Sequence, residues 1–248
     1  MKNYNPYSLE GKTILITGAA SGIGKTTTIE CSKLGAKVVL VDLNSIGLDA
    51  VMPLLEGEAH VSFAGNLCNE GFLITLAEQT PELDGVFICA GVSDTTPVKF
   101  ITQDKIDRVF SVNVDAPILM LKHLLSKKKI NKGSSLVWMS SYGAEKVEPG
   151  LGIYAASKSA VNGIMRAYAK ELVSRNIRSN SIMPMMIRTE LLDTLKYISQ
   201  EDWDKQQAMY PLGFGRPLDV AYAAIYLLSD ASRWITGTTI KMDGGSNL

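Results

Sequence analysis

Five residues with strand character, Thr13-Ile14-Leu15-Ile16-Thr17, run directly into Gly18-Ala19-Ala20-Ser21-Gly22-Ile23-Gly24, and a segment with helical apolar spacing follows. That order constrains the fold more than any other feature of the chain. Glycines between a strand and a helix permit a tight turn and close backbone approach, and the helix start presents unpaired N–H groups to an anion. The unit predicts the first strand, loop and helix of a parallel sheet, with a pyrophosphate resting on Gly18, Ser21, Gly22, Ile23 and Gly24.

A nucleotide-hydrolysing P-loop is the rival, because Gly24-Lys25-Thr26 carries part of its motif. That loop needs four residues between its first glycine and the Gly-Lys pair. Gly18 and Gly24 enclose five, which leaves Lys25 as an ordinary helix residue.

Further strand-like runs recur at 37–41, 60–64, 85–89, 135–139, 177–183 and 238–241, each separated by helix-length sequence. Strands joined in this way require right-handed crossovers, so the expectation is a seven-stranded parallel sheet with helices on both faces. No repeat or linker divides the 248 residues, and the length suits one α/β domain over 1–248. The 25 basic and 25 acidic side chains cancel, which argues against a nucleic-acid or anionic-membrane partner. With no apolar run long enough to cross a bilayer, a cytoplasmic protein is expected. Cys31, Cys68 and Cys89 lack metal-type spacing, and His60 and His123 sit in strand and helix patterns, so no metal site is expected.

Asp42 closes the second strand 18 positions after Gly24. A carboxylate near that offset accepts from the ribose 2′-hydroxyl of NAD and repels the 2′-phosphate of NADP. Ser21 and Leu43 supply no compensating cation, so NAD is the expected cofactor. A helix N-cap is the other role open to Asp42.

Tyr154 and Lys158 stand four apart at the start of a helical segment, on one face. A tyrosine is a poor base at neutral pH, and a neighbouring ammonium favours its phenolate. With this pair added to the glycine loop, the chain resembles the short-chain dehydrogenase/reductase family over almost its whole length. The family's Thr-Gly-x-x-x-Gly-x-Gly stands at 17–24 and its Tyr-x-x-x-Lys at 154–158. The resemblance implies a single Rossmann domain with Tyr154 as general acid/base and Lys158 holding the nicotinamide ribose. It implies a substrate-binding hydroxyl at Ser141, with Ser140 the neighbouring alternative, and a water-holding carbonyl at Asn113. It also places Asn66, Leu67, Ala90, Gly91, Pro184, Ile187 and Thr189 against the cofactor. Pro117 adds a physical reason of its own, since it has no N–H for the Asn113 carbonyl four residues earlier. A helix kinked there is the expectation; a new helix beginning at Pro117 is the alternative.

The family pattern is broken in three places. Ile88-Cys89 precedes Ala90-Gly91 where two asparagines are usual, Asn66 stands where an aspartate often touches the adenine, and Met185 follows Pro184 where a glycine is usual. A thioether in place of a hydrogen should fill space near the reaction centre or redirect the loop. Met185, Met186, Leu191, Leu192, Trp203, Met209 and Tyr210 make a presumed substrate cover at about 184–216 apolar, so an apolar or amphipathic alcohol or ketone is expected. Small residues Ala156, Ala160, Gly163 and Ala167 line one helix face, and the resemblance implies a homotetramer packed through it. Three functions follow: NAD-dependent interconversion of a secondary alcohol and a ketone, NADPH-dependent reduction of 3-oxoacyl thioesters, and non-catalytic dinucleotide binding.

Overall fold

The protein is described by a computed structural model covering residues 5–189, 205 and 207–247. Seven strands form one sheet: β1 (Thr13–Thr17), β2 (Lys37–Asp42), β3 (Val61–Ala64), β4 (Leu83–Ile88), β5 (Ile130–Met139), β6 (Arg178–Pro184) and β7 (Thr239–Met242). Every neighbouring pair is parallel, and the order is β3-β2-β1-β4-β5-β6-β7. The expected single Rossmann architecture is therefore present. The largest departure from the expected bounds is β5, which begins at Ile130, five residues early, because Leu83 pairs with Ile130 before a register shift.

Among the described residues, the α-helices with defined bounds are α1 (Gly22–Lys33), α2 (Ser45–Val51), α3 (Glu70–Gln79), α4 (Gln103–Phe110), α5 (Ala116–Ser126), α6 (Gly152–Leu172) and α7 (Pro217–Leu228). Strand alternation sorts them into two layers. Ile14, Ile16, Val38, Leu40, Phe87 and Val137 point towards α1, α2 and α7, where they meet Cys31, Leu48, Val220 and Ala224. Their neighbours Leu15, Val39, Val41, Val86 and Leu136 point the other way, onto Leu73, Leu76, Met120, Leu124, Val161 and Met165 of α3, α5 and α6. Near-continuous apolar strands are thus buried on both faces, as a parallel sheet demands.

His60 is structural, as expected: its Nδ1 accepts from Val38 N at 3.1 Å, which leaves Nε2 to donate to the Glu56 carbonyl at 3.0 Å. No described helix is long and apolar enough to cross a membrane. Strand β1 pairs with β2 on one side and β4 on the other, so the chain order reverses there. The carboxyl ends of β1 and β4 are where such sheets open a crevice.

Candidate active site

A cavity of about 690 Å³ opens at that crevice. Gly18, Ser21, Gly22, Ile23, Gly24, Asp42, Leu43, Asn66, Leu67, Ala90, Gly91 and Thr189 line it, which brings together twelve of the expected cofactor residues. Glycine is required where the backbone is closest. Gly18 has φ +71°, and a Cβ there would lie 3.1 Å from Ala90 backbone; a Cβ on Gly24 would lie 2.0 Å from the Gly18 oxygen. Ser21 occupies the N-cap of α1 without a side-chain capping bond, so the helix start faces the cavity with donors to spare.

The loop is tied to its surroundings by two polar side chains. Thr17 Oγ1 accepts from Cys89 N at 3.0 Å and Ala90 N at 3.1 Å, joining the ends of β1 and β4. Asp42 accepts from Ala20 N through Oδ2 at 3.0 Å and from Asn44 N through Oδ1 at 2.9 Å. Asp42 is not the helix cap, since Asn44 caps α2 through Gly47 N. Its carboxylate is fixed in the cavity wall by two amides, and among the described lining residues there is no lysine or arginine.

Beside the cavity, α6 carries Tyr154 and Lys158 one turn apart. Lys158 is 4% exposed, and its Nζ donates to the Met139 carbonyl at 2.9 Å. Burial lowers its pKa to about 8. A Cβ on Gly91 would sit 3.3 Å from that Nζ, so Gly91 admits the ammonium to the cavity's edge. The Tyr154 phenol differs from the simple expectation. Burial raises its pKa above the ordinary tyrosine value and the hydrogen bond with Ser141 opposes that rise. The ammonium, 5.8 Å from the ring centroid, is directed at a carbonyl.

The structure separates the two serines. Ser140 is buried and its hydroxyl points to the Lys158 carbonyl at 3.4 Å, whereas Ser141 lies beside Tyr154 and its Oγ accepts from Gly143 N at 3.1 Å. Asn113 lies in a π-helical turn, Ser111–Asp115, in which Ala116 N donates to the Ser111 carbonyl. Pro117 follows in the first turn of α5, and the backbone stays helical through Asp115 and Ala116, so the disturbance is a π-turn within a continuing helix rather than the start of a separate one. The buried Asn113 side chain pairs with both backbone groups of Val92, at 2.8 and 2.9 Å, and donates to Ser157 Oγ at 3.0 Å.

Tyr154, Lys158, Pro184 and Ile187 are not among the residues that line the cavity. Pro184 is buried and paired with Met242, and Ile187 bridges to Gly215. The sequence reading missed Gly65, Cys68, Cys89, Val92 and Val112 as lining residues. All five lie beside residues that were named, Val112 beside Asn113 and the others at or just beyond strand ends, so adjacency to the named residues was the available signal. Of the expected apolar cover, Leu191, Leu192 and Trp203 lie outside the described residues. Tyr210 is buried against Phe214, ring centroids 5.0 Å apart, and Met209 is exposed.

Residues 18–247 match the family described as enoyl-(acyl carrier protein) reductase. The chain is 33% identical over 244 residues to the 3-oxoacyl-[acyl-carrier-protein] reductase of Thermotoga maritima, covering 96% of this chain and 98% of that one. It is 32% identical over 251 residues to the L-xylulose reductase of Caenorhabditis elegans, covering 96% and 97%. A solved short-chain type dehydrogenase/reductase from Mycobacterium ulcerans superposes with a TM-score of 0.88 at 32% identity, covering 96% of this chain and 90% of that one.

Proposed function

The chain belongs to the short-chain dehydrogenase/reductase family of oxidoreductases, and from that premise we propose that it moves a hydride between NAD and a secondary alcohol or ketone. Members of the family bind a nicotinamide dinucleotide, and the glycine cradle of this chain fits one, since side chains at Gly18 or Gly24 would fill it. When bound, that group supplies the hydride acceptor or donor. The residues of the chain handle the proton. Tyr154 takes the hydroxyl proton of an alcohol or returns it to a ketone oxygen, and Ser141 donates to that same oxygen. Lys158 places a buried positive charge beside both. The Asn113 side chain holds Val92, and through it the Ala90-Gly91 backbone that the lysine approaches.

The observation that carries the cofactor choice is Asp42, a carboxylate fixed in the cavity wall with no described cation beside it. A 2′-phosphate there would meet uncompensated negative charge. Steady-state kinetics with both dinucleotides should favour NAD by at least about tenfold in kcat/KM, since one buried hydrogen bond to a charged group is worth that much. Equal or better efficiency with NADP would overturn the choice.

A second reading, NADPH-dependent reduction of a 3-oxoacyl thioester, is favoured by the name of the Thermotoga relative. It predicts turnover of such thioesters with NADPH above every simple ketone. Tyr154→Phe separates catalysis of either kind from a binding role: kcat should fall at least ~10² with dinucleotide affinity retained. The same reading takes the substrate as apolar or amphipathic and the protein as a cytoplasmic homotetramer joined through α6, whose Ala156, Gly163 and Ala167 are exposed. Light scattering that gave a monomer at working concentration would remove the tetramer.

A further inference from the structure

The turn that follows β7 reaches across the sheet edge to Met185. Ser246 Oγ donates to the Met185 sulfur at 3.0 Å, and Asn247 Nδ2 reaches the same sulfur at 3.6 Å. The turn is itself braced. Asn247 Nδ2 also lies 3.1 Å from Asp243 Oδ2 and 2.9 Å from Ser246 Oγ, while its Oδ1 accepts from Lys146 Nζ at 3.1 Å. Lys241 pairs with Glu145. Glu145 and Lys146 belong to the segment that begins at Ser141, so one turn grips both Met185 and the serine's loop. The backbone contributes as well: Met185 N donates to the Met242 carbonyl at 2.9 Å and Leu212 N to the Gly244 carbonyl at 3.0 Å.

A methionine is normally an adaptable gap-filler, because its side chain is unbranched and its sulfur is a weak acceptor. The Ser246 hydroxyl bonded to the sulfur, with the Asn247 amide packed beside it, restricts that freedom. The place where it is restricted also matters. Met139 of β5 is in register with Ile182 of β6, so Ser141 and Met185 leave the sheet side by side. Four residues beyond Met185, Thr189 lines the dinucleotide cavity, and a Cβ on Gly22 would lie 3.6 Å from its methyl group.

We infer that Met185, held by Ser246 and Asn247, determines specificity by limiting the bulk of the substituent that an alcohol can carry on the β6 side of its carbinol carbon. The inference rests on the alcohol-oxidising reading above. It makes the turn after β7 part of the substrate site, through residues with no role in hydride or proton transfer.

The test is kcat/KM for a graded series of secondary alcohols, from 2-propanol to branched and aryl carbinols, with dinucleotide Kd measured in parallel. Met185→Gly should raise the ratio of bulkiest to smallest substrate by about tenfold or more, the scale of one or two methylenes in a pocket. Dinucleotide Kd should stay within about twofold. Met185→Leu, which keeps the bulk, should hold the wild-type ratio, and Asn247→Ala should move it in the glycine variant's direction by about threefold. An unchanged ratio in Met185→Gly, or an equal loss for every alcohol, would overturn the inference while leaving the reaction in place. If the glycine variant fails to fold by circular dichroism, Met185→Ala carries the same comparison. A wild-type protein inactive on alcohol and ketone panels alike would overturn the reading and the inference together.

Discussion

The two walls of the cleft are made of different material. The dinucleotide wall, at the ends of β1, β2 and β4, is mostly backbone: Gly18, Gly22, Gly24, Ala90 and Gly91, stitched by the Thr17 hydroxyl. The proton-transfer wall, on β5, α6 and the π-turn, is side chain: a buried Lys158, a buried Asn113, and Tyr154 beside Ser141. The first works by the absence of atoms and costs conformational freedom in the unfolded chain. The second works by burying polar groups, Lys158 and Asn113 above all, and costs desolvation. A backbone wall should therefore fail by steric exclusion, and a side-chain wall should become more stable when its chemistry is removed.

The largest effect should come from adding one carbon to the backbone wall. In Gly24→Ala the new methyl would meet the Gly18 oxygen at 2.0 Å and its carbonyl carbon at 2.6 Å, and neither atom can rotate away. Overpacking of that kind costs about 3 kcal/mol or more, so dinucleotide binding by calorimetry should weaken by at least ~10². Gly163→Ala is the control, because its Cβ meets nothing within 4 Å and α6 gains a better helix former. Wild-type affinity in Gly24→Ala would break the comparison.

This difference in material also explains what could be read from the sequence. Glycine spacing reports a missing Cβ directly, so Gly18, Gly22 and Gly24 were legible, and strand alternation gave the sheet. Asp42 was legible as a carboxylate at a strand end, but its two amide donors were not, because Ala20 and Asn44 carry no mark of where their N–H groups point. On the other wall, Tyr154 and Lys158 were legible as a pair through helical spacing. The lysine's attachment to the Met139 carbonyl was not, since it depends on how α6 packs across β5. For the same reason the burial that raises the phenol's pKa was not legible: burial is a property of the assembled layers. The Met185 clamp joins residues 61 and 62 positions apart and leaves no local pattern.

Lys158→Met sharpens the comparison from the other side. The folded protein lowers the lysine pKa from 10.5 to about 8 by burial. Below about pH 8 the group is charged in both states and the folded state bears the whole penalty. Between about 8 and 10.5 the unfolded chain binds the proton and the folded chain does not, so wild-type stability from this group rises with pH. The variant should therefore be more stable near pH 7, by ~1–3 kcal/mol once the lost Met139 bond is deducted, while turnover is lost. Denaturant titrations should show that gain shrinking from about pH 8 upward. A variant less stable than wild type at pH 7 would mean that the ammonium supports the fold it is buried in.

The smallest effect should come at the seam between the walls. Cys89 lines the cavity, and burial pushes its thiol up to about 12, so it carries no charge at neutral pH. What it gives the cradle is its N–H, donated to Thr17, and any residue but proline has that group. Cys89→Asn should then change dinucleotide Kd by less than about threefold, within the range of a single exchanged polar contact. The added amide can gain a partner only where the thiol had none, and the backbone contacts at Ala90 and Gly91 stay as they are. A change above about tenfold, the worth of a hydrogen bond to a charged group, would show that the side chain at 89 helps to hold the dinucleotide. The side chain at 89 would then join the Asp42 carboxylate among the groups that hold the dinucleotide.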